Sequence, residues 1–175
     1  MKKVKFKLWH SLFGIAIILL IEIVVYFIFP EGAIPLASVY VASILGSLIT
    51  IYVATEVIEE VRGSSHMFVL LTVIIAQFIA LFAFEYWFII AIDPATFPTF
   101  STEPLDLFLQ SIMVFVFNPI YVPATASGRA LIIIDTFGSL GLALFVLQNI
   151  GQLRNKSLDS EARKTKRLKS KISKE

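Results

Sequence analysis

Glu22 and Asp135 raise the first chemical question, because each acid lies inside a long apolar run. A charged group at the centre of a membrane-crossing helix costs about 2.5–3.5 kcal/mol on insertion scales, so an acid kept there needs a partner or a task. Asp135 is followed four residues on by Ser139 and then Ala143, which with Gly138 make one polar or small face. Two readings of Asp135 stay open. It is either a water-facing carboxylate that attracts cations, with Ser139 beside it, or a carboxylate bonded to a neighbouring segment such as Ser111 or Asn118. Glu22 falls near the middle of the first apolar run, and Gln77 lies at similar depth in the third. A buried Glu22–Gln77 hydrogen bond with a neutral carboxyl is expected, and a proton relay is the alternative. No glycine-rich phosphate loop, nucleophile elbow or clustered ligand set accompanies these acids, so enzyme activity is not expected. The chain has no cysteine, and its two histidines, His10 and His66, sit at the edges of apolar runs. No metal or cofactor is expected.

The elements that must hold these residues are membrane helices. The chain of 175 residues is 57% hydrophobic and only 16% charged, with a mean hydropathy of +0.83; soluble domains carry about 25% charged residues. Four runs reach the length of about 20 residues that a bilayer demands: 11–29, 33–57, 67–92 and 130–151. The first is longer than a signal-peptide core, holds Glu22 and lacks a clear cleavage site, so an uncleaved span is expected. A fifth apolar run, 105–117, is too short to cross and fits a buried or re-entrant element. The fold class expected is all-α: an integral membrane protein of four transmembrane helices, with a re-entrant helix between the third and fourth.

Charge sets the expected topology. Of fifteen Lys and Arg residues, four precede the first run and nine follow Leu153, leaving Arg62 and Arg129 between. The positive-inside rule places both termini in the cytoplasm and residues 93–128 outside, in a cell (plasma or inner) membrane. Basic ends beside spans fit topology and contact with membrane lipid; nucleic acid is not an expected partner. The second run carries Ser38, Ala42, Gly46, Thr50 and Ala54 at every fourth position. This stripe lets helices approach closely, inside the protomer or between subunits. Residues 153–175 form a basic tail with loose apolar spacing at Leu158, Ala162, Leu168 and Ile172, fitting a solvated tail, an extended helix or a lipid-surface helix.

The short run has its own start and stop signals. Pro104 suits a first helical position and Asp106 suits the first turn, while Asn118, preceding Pro119, ends the helix. Residues 103–117 then form a rod of roughly 20 Å, followed by irregular backbone at membrane depth, which must be buried in protein or line water. With Glu85-Tyr86-Trp87 before it, Asp106-Leu107-Phe108-Leu109-Gln110-Ser111 within it, and Val122-Pro123 and Gly128-Arg129 after it, the chain resembles the two-helix pore domain of the potassium-channel family. The family reads E-x-W, D-A-L-Y-F-S, T-V-G-Y-G-D, then V-P and, six residues after the proline, G-R. The resemblance covers about residues 67–152. It implies a pore domain over 63–152 after a two-helix segment, 1–62, and before the tail, 153–175. It also implies a homotetramer, bracing of the pore helix by Glu85, Trp87, Asp106 and Ser111, and an inner-helix hinge at Gly138 or Gly141.

The departure falls on the filter. Phe115, Val116, Phe117, Asn118 and Pro119 stand where the family has T-V-G-Y-G, and the segment between Ser111 and Pro123 is two residues shorter. A carbonyl filter needs glycines to turn successive oxygens inward, and proline fixes its own φ. The expectation is therefore a cation-conducting, channel-like protein of weak or altered selectivity, with inorganic cations as permeant. A non-conducting assembly or accessory subunit, or a small proton-coupled transporter, is the alternative.

Overall fold

In a computed structural model the described residues are 2–30, 32–61, 67–99 and 102–148, with side chains described over 9–30, 32–57, 67–99 and 102–148. The basic tail and His66 lie outside them. The described chain is all-α: α1 (Lys2–Ile28), α2 (Ala33–Val61), α3 (Met67–Ile92), a single 3₁₀ turn at Pro94–Thr96, α4 (Pro104–Phe115) and α5 (Ala126–Gln148). No strand occurs among the described residues. Four helices, α1, α2, α3 and α5, are long and apolar enough to cross a bilayer, which makes this a multi-pass membrane protein.

Two helix starts differ from the sequence expectation. α1 begins at Lys2, so its basic segment continues the same helix as the apolar run. α5 begins at Ala126 rather than 130, because Thr125 caps it. The Thr125 hydroxyl accepts from Gly128 N at 3.4 Å, the N-cap arrangement that satisfies an orphan amide of the first turn. Between α1 and α2 the chain turns through Gly32 at φ 100°, a left-handed conformation that glycine adopts without steric cost.

α3 is the central helix. Its buried residues include Ile74, Phe78, Leu81, Phe82, Tyr86 and Ile89, on more than one face, and α1, α2 and α4 all pack on it. The small stripe of α2 packs inside the protomer. Gly46 lies under the Leu81 side chain of α3, with no room for a Cβ, and Ala42, Thr50 and Ala54 are buried. Thr50 donates back to the Gly46 carbonyl at 2.8 Å, so its hydroxyl needs no outside partner.

α5 reaches the same core through Gly138. A Cβ there would meet Ser47 Oγ of α2 at 2.9 Å and Phe78 Cζ of α3 at 3.0 Å. Gly141, a turn below, would meet Ile51 Cδ1 at 3.3 Å. Both glycines lie within an unbroken helix, and close packing at three helices accounts for Gly138 without a hinge. Gly138→Ala should therefore lower stability by about 1–3 kcal/mol, the usual cost of overpacking. Gly141→Ala should cost less, because a single flexible methyl stands in the way. Thermal unfolding of the two variants in mild detergent compares them directly.

Candidate functional site

The segment between α3 and α5 is built around Thr96. Asp93 caps the 3₁₀ turn, accepting from Ala95 N at 3.1 Å and from the Thr96 hydroxyl at 3.0 Å. Thr96, fully buried, accepts at its carbonyl from Ala124 N at 2.9 Å and at its hydroxyl from Thr125 at 3.2 Å. Gly128 packs directly against the Thr96 methyl, with Pro123 Cβ 2.7 Å from where its own Cβ would stand. The end of α3 and the start of α5 are thus tied together. Everything from 97 to 123 leaves and returns at one level.

From that level α4 runs back alongside α3. Its buried face is Leu107, Gln110, Ser111 and Val114, the i, i+3, i+4, i+7 spacing of one helix side. Ser111 donates to the Ile79 carbonyl at 2.9 Å, and the Phe115 ring meets Phe78 with centroids 6.0 Å apart. Ile79 lies halfway along α3, thirteen residues before Ile92, which is about 20 Å from its end at 1.5 Å per residue. Pro104 holds the first helical position and Asp106 the first turn, as their types suggest.

α4 stops at Phe115, earlier than the expected 117. Asn118 N donates to Met113 O at 2.7 Å and Phe117 N to Val114 O at 2.8 Å, the paired bonds of a Schellman ending. The residue in the left-handed position is Phe117, at φ 61°, where glycine is usual and a bulky side chain is disfavoured. Pro119 follows and prevents the helix from resuming. Residues 115–119 therefore form a helix end and a turn, not a ladder of inward carbonyls. Seven residues of extended chain from Phe117 reach at most about 23 Å, enough to regain Ala124 beside Thr96.

One side chain fastens the returning segment. Gln110, fully buried, accepts from Ile120 N at 3.1 Å and Tyr121 N at 3.0 Å through Oε1. Its Nε2 donates to Tyr121 O at 3.2 Å. A single amide thus satisfies three backbone groups of a strand-like segment that has no strand beside it. Nothing in the local sequence assigns Gln110 this role. Its register with Leu107, Ser111 and Val114 on the inward face was the available signal. On the opposite side the segment is open: Val116 is 54% exposed, Phe117 51%, Ile120 50% and Val122 78%.

The acids lie elsewhere than expected. Asp135 is 0% exposed, accepting from Tyr86 OH at 2.9 Å and from Ser139 Oγ at 3.2 Å. Assembly cannot uncover a side chain that its own protomer covers completely, so the water-facing ring of Asp135 and Ser139 does not fit this structure. Its partners are also not Ser111 or Asn118 but Tyr86, a residue to which the sequence reading gave no role. The expected Glu22–Gln77 bond is absent. Gln77 donates instead to Ser11 Oγ at 2.7 Å, because Glu22 lies further along α1, against Glu85 of α3. Both carboxyl groups are buried and face each other, a hydrogen-bonded pair when one of them carries a proton, and no other described side chain bonds to either. Glu85 therefore turns towards α1 rather than bracing α4. That bracing comes from Ser111, and Trp87 lines an apolar groove with Pro104, Leu107 and Phe108 of α4.

No family model matches this chain, and no curated protein or solved structure is significantly similar to it.

Proposed function

We propose that this protein is an ion-channel-like membrane assembly in which α4 dips into the bilayer from the outer face and the chain returns as a pore loop. Both termini would then be cytoplasmic, in a cell membrane. One observation carries the reading: residues 116–122, irregular in backbone, start beside the middle of α3 where Ser111 and Phe115 pack, return towards its end at Thr96, and are exposed on the protomer surface except at Tyr121. Most amides of the segment are bonded, but hydrocarbon about 30 Å thick cannot solvate its exposed carbonyls. Further copies of the chain and enclosed water can, and a closed symmetric ring supplies both. The potassium-channel-like pore domain that the sequence resembles has this plan and would make the ring a tetramer.

The permeant is a monovalent cation, passed with little discrimination. A helix end at Phe115–Pro119 offers few carbonyls to replace a dehydrated potassium ion, so pore width dominates. A second reading, a small proton-coupled carrier, is favoured by the Glu22–Glu85 pair, two buried carboxyl groups on neighbouring helices. Flux through reconstituted protein separates the readings. We expect potassium and sodium currents with a reversal potential near zero in opposed gradients. Strong potassium selectivity would contradict the rebuilt loop, proton uptake without cation current would favour the carrier, and silence of an intact oligomer would leave a non-conducting assembly.

A further inference from the structure

We infer that the side chain of Asn118 is the polar constriction of this pathway: a ring of neutral carboxamides in water at mid-bilayer, admitting monovalent cations with most of their hydration intact. The inference rests on the channel-like reading and names the residue that would set its selectivity. Between Ser111 and Thr125 the chain has only two polar side chains, Asn118 and Tyr121. Tyr121 is half-buried, with its backbone held by Gln110, whereas Asn118 is exposed. The Asn118 amide nitrogen of the backbone is committed to Met113 O. No residue among those described bonds to its carboxamide. That group sits one residue past the left-handed Phe117, at the point where the chain reverses direction.

A carboxamide at this depth without a partner is incompatible with hydrocarbon. Its neighbours exclude internal rescue, since Val116, Phe117, Pro119 and Ile120 offer only apolar side chains. Water and the same carboxamide from other copies remain. The oxygen of each amide gives a weak, uncharged attraction for cations, while its N–H donors are free for water or for the neighbouring copy. Such a ring holds no fixed charge and cannot strip hydration as a stack of carbonyls does. It therefore sorts ions weakly by size.

The chain lacks cysteine, so Asn118→Cys introduces a lone thiol into the full-length protein. In proteoliposomes we expect this thiol to react with a membrane-impermeant cationic methanethiosulfonate, with loss of cation flux as it reacts. Phe13→Cys, on the exposed face of α1, should stay inert as the lipid-facing control. The near-isosteric Asn118→Asp should conduct, with a reversal potential shifted towards stronger cation-over-anion preference. If unmodified protein conducts while the Asn118→Cys thiol is as inert as the control and Asn118→Asp leaves the reversal potential unmoved, the constriction lies elsewhere. The assignment then falls and the channel reading stands. If unmodified protein passes no cation at all, both fall together.

Discussion

Gln110→Leu is expected to unfold the segment between α4 and α5 and to cost about 3–9 kcal/mol, with each of three backbone groups left unsatisfied worth about 1–3 kcal/mol. Leucine fills a similar volume, so packing against α3 is largely retained. What goes is Oε1, which serves Ile120 N and Tyr121 N, and Nε2, which serves Tyr121 O. Against a total stability of about 5–15 kcal/mol, the loss would take a large share of it. Gln110→Glu should fall between the two, because a carboxylate still accepts from both amides but cannot donate to the Tyr121 carbonyl. Thermal unfolding in mild detergent ranks the three proteins. A loss under about 1 kcal/mol for Gln110→Leu, less than a single stranded group should cost, would show that something other than this side chain holds the segment.

Asp135→Leu should cost about 1–3 kcal/mol, since it removes the carboxylate that accepts from the buried Tyr86 hydroxyl and from Ser139. Ser139 suffers less, because a helical serine can turn its hydroxyl to the carbonyl four residues back. Asp135→Asn keeps one acceptor oxygen and should lose about 1 kcal/mol. Neither change should alter cation-over-anion preference, because the carboxyl is enclosed between α3 and α5 within one protomer. A shifted reversal potential for Asp135→Asn, with stability unchanged, would return that residue to the pathway.

Burial decides between the two readings of Asp135 in favour of the bonded carboxylate, with a partner that spacing could not name. An acid among apolar residues announces that it needs a partner, but spacing along one helix reveals only Ser139, four residues on. Tyr86 lies forty-nine residues away in sequence, and only the packing of α5 on α3 brings them together. The Glu22–Glu85 contact was hidden in the same way. Local signals were more informative. Run lengths gave the four long helices, Pro104 marked the start of α4 and Pro119 its end. What they missed at the ends was equally local: Thr125 caps α5 a turn earlier than the apolar run suggests, and a phenylalanine takes the left-handed position that sequence rules assign to glycine. Gln110 was legible in part, as the one amide on the inward face of α4, but its partners on the returning chain were not.

All of the functional account depends on the open side of residues 116–122 being covered by other copies of this chain. Mass measurement of the full-length protein, released in a mild detergent that preserves membrane assemblies, tests this most directly. A closed homo-oligomer is expected, a tetramer on the pore-domain plan. A population of monomers alone, folded and with the Gln110 contacts intact, would leave irregular backbone and the Asn118 carboxamide facing lipid and would contradict it.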